Sequence, residues 1–411
     1  MAHIIPFKAI RAVRDKVHLV ASRPYFTYKR NVLMAKLEDN PFTFLHIIHP
    51  EKPGEQTTEP NSTERFVHIK RKFEGFLNDG ILVQDDEPHF YIYRQTHPTH
   101  VFTGIIAGAS LDEYDCDRIK KHEATLTSRE HLFTHYLDVT GFNAEPVLLA
   151  YPSNEEIRVL LEKCTLSRPE YEFTTTDYIK HELWLATSDQ VNEITSSFAY
   201  INALYIADGH HRSASSSRLR KVRNEKNEHF GKNENFFLSF LIDEQQLNIV
   251  EFNRIVKGLN GYSMDEFLHK MSSIGTLTEL TSAEKPSREH EITMYLQGKW
   301  YRIELNSDSF ASMDPVGRLD AEILTREILT PILGINDLKT DNRIDFISGV
   351  EGLSNVKEAV DSKGFDVGFV LFPVTMDQVK AVADEHLIMP PKSTWVEPKL
   401  RSGLTIYNIN E

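Results

Sequence analysis

ALYIADGHHRSASSSRLRK, residues 203–221, joins a short apolar run to an Asp-Gly turn and then to a long polar segment. The apolar run, Ala203 to Ala207, has the length and composition of a buried strand, and Ser213 to Lys226 reads as a helix. Strand, glycine turn and helix N-terminus together form a recurring anion-binding geometry. The first helical N–H groups lack intrahelical partners, and the helix dipole places partial positive charge there. In that setting Gly209 lets the backbone approach a ligand and Arg212 offers a bidentate fork to phosphate oxygens. Asp208 orients a histidine or holds a metal, and Ser213 is the expected N-cap. His210 and His211 point in different directions on any regular backbone, so they need not share a role. The plainer alternative is a tight turn with two surface histidines.

Outward from this stretch, apolar and polar runs mark the rest of the fold. Phe42 to His49 predicts a strand running into Pro50, and residues 51–63 (EKPGEQTTEPNST) an exposed loop. Phe66, Ile69, Phe73 and Phe76 recur at helical spacing. LVQ, DDEP and HFYIYRQ from Leu82 predict a hairpin. VFTGIIAGA (101–109), VLLAY (147–151) and FFLSFLI (236–242) suit buried strands, with helices over 129–137 and 154–163. Glu182 to Ala186 is a further strand candidate. From about 281 the pattern changes. HEITMYL-QG-KWYRIEL predicts strand, turn, strand, followed by a helix over 318–333. RIDFI, NVKEAVDS, DVGFVLFPV and MDQVKAVADEHL then alternate strand and helix. The expectation is a mixed fold of the α+β or α/β class, with a core over 1–280 and a C-terminal α/β unit over 281–411.

Composition narrows the function classes. The chain has 411 residues, 40% hydrophobic and 26% charged, with a formal charge of −14. That length predicts more than one core, and that sign opposes general duplex-DNA binding. Two cysteines, Cys116 and Cys164, give neither a disulfide framework nor a thiolate cluster for zinc. Adjacent His210 and His211 lack the same-face spacing of a zinc helix, so no metal ligands are assigned. The N-terminus shows no signal pattern and no run approaches the roughly 20 apolar residues that span a bilayer. A cytoplasmic protein without nucleic-acid or membrane partners is expected; oligomeric state is left open.

Two further clusters carry chemistry. Lys121-His122-Glu123-Ala124-Thr125, preceded by Lys120 and followed by Arg129, sets a carboxylate and an imidazole among cations. Glu123 there can accept a hydroxyl proton, while lysine or arginine clamps a phosphoryl group. An exposed charged loop is the competing interpretation. Near the C-terminus, Met389-Pro-Pro-Lys-Ser-Thr394 presents an ammonium and two hydroxyls, Lys392, Ser393 and Thr394, after a Pro-Pro pair expected to end a helix. A simple helix stop with a solvent lysine competes here.

In order along the chain, PFKAIR (6–11), KHEAT (121–125), NAEPVLLAYP (143–152), HELWLAT (181–187), YIADGHHR (205–212), RIDFISG (343–349) and MPPKSTWVEPKLRSGL (389–404) resemble the bacterial "domain of unknown function 1015" family. One departure is Arg23-Pro24-Tyr25-Phe26, where that family usually shows Pro-Pro-Tyr-Asp. More distantly, the Gly-x-His-Arg core is similar to the phosphate-binding turn of the ParB/sulfiredoxin-like superfamily, which includes free-serine kinases. His210 stands where sulfiredoxins have cysteine, which removes thiol chemistry. The resemblance implies a ParB/sulfiredoxin-like core and a small-molecule kinase using ATP, ADP or pyrophosphate with Mg²⁺, serine being the nearest acceptor. On that footing Gly209, His210, His211, Arg212 and Ser213 cradle donor phosphates, with Arg129, Lys392, Ser393 and Thr394 as further contacts. Glu123 is the base, His122 orients it, and Asp208 assists; the PPKST arm is expected to return to this site. A nucleotide-sensing regulatory module and a metal-dependent phosphohydrolase using Asp208 with His210 or His211 remain the alternatives.

Overall fold

FFLSFLI becomes the middle of a nine-stranded mixed sheet. The computed structural model describes residues 2–49 and 58–411, so most of the expected loop over 51–63 lies outside the described residues. The chain forms two units. The first takes Met1–Lys121, Thr125–Leu247 and Pro398–Glu411, and the second takes His122–Ala124 and Asn248–Glu397. The main division therefore falls at Leu247/Asn248 instead of 280/281. Phe252–Val256, shortly after it, joins the second unit's six-stranded sheet by pairing that the apolar pattern does not reveal.

Strands of the first unit's sheet are β1 (Ile4–Ile5), β2 (Tyr91–Thr96), β3 (Val101–Ser110), β4 (Ile119–Lys120), β5 (Val147–Tyr151), β6 (Tyr171–Thr174), β7 (Lys180–Leu185), β8 (Leu204–Asp208) and β9 (Phe236–Asp243). Their order is β4-β8-β5-β9-β3-β2-β7-β6, with β1 on β3. Helices are α1 (Thr63–Asn78), α2 (Thr127–Thr140), α3 (Glu155–Cys164), α4 (Ser188–Phe198) and α5 (His210–Lys226). One sheet face buries Ile105, Ala107, Val147, Leu149, Ile206 and Leu241 against Ile157, Leu160 and Leu161 of α3 and Ile194 and Phe198 of α4. Each of these side chains except that of Ala107 contributes roughly 1.5–3 kcal/mol. Asn154 caps α3 by accepting from Ile157 N–H, and Thr187 with Gln190 forms a capping box on α4. α5 is built differently. Ser213, Ala214, Ser215, Ser216 and Ser217 are buried, and their small side chains let α2 approach closely enough for Thr134 Oγ to donate to Ser215 O.

Two local expectations change. Phe42–His49 holds a helical turn, Leu45–Ile48, and not a strand. Phe44, Leu45 and Ile47 are all fully buried, which a helical turn allows and strand alternation would split. Leu82–Gln84 pairs with Ile10–Ala12 and not with β2. Asp85, in the expected hairpin turn, is held by Arg11 at 2.6 Å and by the Tyr91 hydroxyl at 2.7 Å, so the segment is a junction between two pairings.

The second unit has β10 (Phe252–Val256), β11 (Gly275–Leu280), β12 (Glu291–Leu296), β13 (Lys299–Leu305), β14 (Ile344–Ser348) and β15 (Val367–Val370), ordered β11-β13-β12-β15-β10-β14. Every pairing is antiparallel. Its helices are α6 (Met264–Ile274), α7 (Asp320–Leu324), α8 (Leu353–Ser362) and α9 (Met376–Asp384). β14 and β15 flank β10 and are joined through α8, a split β-α-β unit. The β12–β13 turn is the expected one, with Gln297 and Gly298 both at positive φ. The helix expected over 318–333 is regular only in α7; a wider π turn follows at Thr325–Leu329. α9 ends at Asp384, so Pro390 and Pro391 come too late to stop it.

Candidate functional site

β8 carries Asp208 at its C-terminal end, and the chain turns at Gly209 directly into α5. Gly209 has φ +105°, a conformation that strains any residue with a Cβ. A Cβ there would also lie 3.1 Å from the Arg212 guanidinium, which folds back over the turn. Arg212 Nη2 donates to Asp208 Oδ2 at 2.7 Å, and Nη1 donates to the Pro146 carbonyl. Lys399 Nζ lies 3.6 Å from Asp208 Oδ1. The fork expected to meet phosphate thus already clasps its own turn, and the Asp208 carboxylate sits between two cations. The glycine makes room for that clasp.

Ser213 is not the N-cap. Gly209 occupies that position, and Ser213, already inside the helix, donates its hydroxyl to His210 O at 3.0 Å. His210 is buried and His211 half-buried in the first turn. β4 pairs parallel with β8, setting Lys120 opposite Tyr205. Parallel neighbours end on the same side of a sheet. The chain leaving β4 towards Lys121, His122 and Glu123 and the chain leaving β8 towards Gly209 therefore depart from one sheet end.

Lys120 and Lys121 each place Nζ 3.4 Å from a carboxylate oxygen of Asp117. Lys121 also donates to Tyr114 O at 2.8 Å, and its ammonium lies 4.2 Å from the Tyr114 ring centre. Burial pushes the Tyr114 phenol up to about 12, against a hydrogen bond with Ser213. Tyr114, Asp117 and Lys399 escaped sequence reasoning. Asp117 and Lys399 adjoin or lie within quoted motifs, but nothing in their spacing announces the partners they meet. Asp115, a nearby carboxylate, is held by Ser217 at 2.6 Å, Arg220 at 2.8 Å and Lys221 at 3.1 Å. It ties α5 to the preceding segment.

His122 is 1% exposed and Glu123 is exposed; both group with the second unit, where Met389 N–H donates to His122 O at 2.8 Å. Arg129 is exposed on the first turn of α2. In the second unit Lys392 is exposed at φ +58°, while Ser393 is buried and donates its hydroxyl back to Pro390 O at 2.8 Å. Thr394 is half-buried. Among the described residues no helix is long and apolar enough to cross a membrane.

No curated protein matches the chain. Among solved structures, a free serine kinase in complex with AMP aligns at 12% identity, covering 74% of this chain and 91% of that one, with a TM-score of 0.34. SbnI with a C-terminal truncation, from Staphylococcus aureus, aligns at 11% identity over 74% and 87%, with a TM-score of 0.37. A conserved hypothetical protein from Pyrococcus furiosus aligns at 13% identity over 74% and 94%, with a TM-score of 0.34. Likeness at this level does not assign an activity. The family described as "protein of unknown function (DUF1015)" matches residues 4–322, well over half of the chain, and the protein belongs to that family.

Proposed function

We propose that the protein is a phosphotransferase that moves a phosphoryl group from ATP, ADP or pyrophosphate to the hydroxyl of a small polar molecule. The parallel pairing of β4 with β8 carries this reading, because it delivers Lys120, Lys121 and the chain towards Glu123 to the sheet end where Gly209 opens α5. Donor phosphates meet the main-chain N–H groups of His210 and His211 and the positive end of the α5 dipole. Lys120 and Lys121 supply cationic stabilisation, and Arg212 and Asp208 hold the turn in shape. Glu123 accepts the acceptor's hydroxyl proton as the new P–O bond forms, with His122 orienting it. Asp208 and Asp117 are each bracketed by lysine or arginine, a poor cage for Mg²⁺. The ion on this reading comes with the donor and is held mainly by phosphate oxygens.

Serine is the first acceptor to test, since the Gly-x-His-Arg core resembles that of a superfamily containing free-serine kinases. Purified protein incubated with each donor, Mg²⁺ and serine should yield phosphoserine, read by phosphorus NMR. Glu123→Gln should lower turnover by about 10²–10⁴-fold while donor affinity stays near wild type. Absence of product with every donor across a panel of hydroxyl acceptors would remove the proposal, and a Glu123→Gln enzyme at full rate would place the base elsewhere.

A further inference from the structure

Arg254 lies within β10 with none of its surface exposed. Its Nη1 donates to the Phe252 carbonyl and its Nη2 to the Lys392 carbonyl at 3.1 Å. Nε is buried with no hydrogen-bond partner among the described residues, and the Phe346 ring centre lies 5.5 Å from the guanidinium carbon. Burial pushes this group down to about 10, so it still carries its charge at neutral pH. Among the described residues no carboxylate pairs with it. Carbonyl dipoles and a ring face leave most of a buried positive charge uncancelled, which is a costly arrangement for a folded chain to keep.

The carbonyl that Arg254 holds belongs to Lys392, whose φ of +58° is disfavoured for a residue with a Cβ. Such strain persists where surrounding contacts impose it, and it collects at binding sites. The Lys392 ammonium is exposed and lies 5.1 Å over the Phe252 ring, and Phe252 shares a strand face with Arg254. Among the described residues Lys392 makes no ion pair either. Among the described residues neither cation, one buried and one presented outward on a strained turn, is paired with a carboxylate.

We infer that the turn Pro390–Thr394 in the second unit is a binding site for a phosphate-class anion, contacted by Lys392, with Arg254 as the positioning residue beneath it. Arg254 sets the turn through the Lys392 carbonyl and adds a positive field that favours multiply charged anions over chloride. Only the physiological ligand, a donor or product phosphate, rests on the phosphotransferase reading; anion capture itself does not require turnover.

Calorimetric titration of the full chain with pyrophosphate, at constant ionic strength set by sodium chloride, tests the site by counting. Lys392→Gly removes the ammonium and relieves the positive φ, so the unliganded variant should melt at or above the wild-type temperature. It should lose one pyrophosphate site, or bind there at least tenfold more weakly. Arg254→Lys keeps the buried charge and should retain most of the affinity at that site, whereas the similarly sized Arg254→Met should lose it. A purely structural arginine predicts equal losses in both. Unchanged stoichiometry and affinity in Lys392→Gly would overturn the inference, whatever Arg254 variants do. If the Lys392-dependent site is found but no donor and acceptor give product, this site stands and the phosphotransferase reading falls. Turnover by a protein whose pyrophosphate binding ignores Lys392 has the opposite meaning.

Discussion

Arg212 shows how a correct choice of residue can carry an incomplete role. Its charge and position after Gly209 are visible in the chain, but its partners are not: the Pro146 carbonyl is distant in sequence, and Lys399 joins Asp208 from near the C-terminus. A motif displays donors and acceptors, and only tertiary packing says which of them meet each other. The clasp makes a stability prediction. Arg212→Ala leaves a half-buried carboxylate and a carbonyl short of a donor, and should destabilise by about 1–3 kcal/mol in denaturant unfolding. Arg212→Lys should recover part of that loss, since one ammonium can reach Asp208 but cannot copy the two-pronged contact. Gly209→Ala should cost a similar amount, about 1–3 kcal/mol, through strain at φ +105°. Equal stability of Arg212→Ala and wild type would mean that the clasp is too solvated to matter; its arginine side chain is 26% exposed.

Helices with regular apolar spacing were legible, and α1 buries Phe66, Ile69, Phe73 and Phe76, the residues its periodicity named. α5 was legible for another reason, the glycine turn before it, because half of its buried residues are serines and only Ala214 and Leu219 among them are apolar, too few for a stripe. The same absence hid its contact with α2. Ser215 sits in that contact, with its carbonyl accepting from Thr134. Ser215→Leu should therefore overpack the helix pair and cost about 1–3 kcal/mol, read by thermal or chemical unfolding. A leucine tolerated there without loss would show that the two helices can part freely. Short apolar runs were the least legible elements. Phe42–His49 fits a strand or a helical turn by composition alone, and only burial of three near-consecutive side chains decides it. The partner of Leu82–Gln84 was equally hidden, since local order suggested a hairpin while Arg11 and Asp85 bind the strand to Ile10–Ala12.

A mixed α/β fold was readable from the succession of runs, but the division into units was not, because Phe252–Val256 looks like any other buried strand until its neighbours are known. Part of the first unit's acid response rests on His181, which is fully buried between the Phe173 and Tyr93 rings, its Nδ1 2.7 Å from the Tyr93 hydroxyl. Burial, aided by the Arg401 guanidinium, pulls the imidazole down to about 3 from its usual 6.5. Between those values the unfolded chain holds a proton that the folded one refuses. Stability is then lost as pH falls from 6.5 towards 3, by about 1.4 kcal/mol per pH unit from this group. His181→Gln should flatten that slope in denaturation measured across the window, and an unchanged slope would assign the acid sensitivity to other groups. Arg401 belongs to the segment Pro398–Glu411, which joins the first unit after the whole of the stretch Asn248–Glu397 has intervened. There the Arg401 guanidinium reaches Asp177 at 3.0 Å, Gln95 donates to Lys399 O, and Asn233 N–H donates to Glu411 O. During synthesis this piece leaves the ribosome after the whole of Asn248–Glu397, so the first unit must wait, incomplete, while the second already has its full sequence. A nascent chain stalled before Pro398 should expose the first unit to protease while Asn248–Glu397 is already protected, reversing the usual order in which the N-terminal part of a protein matures first.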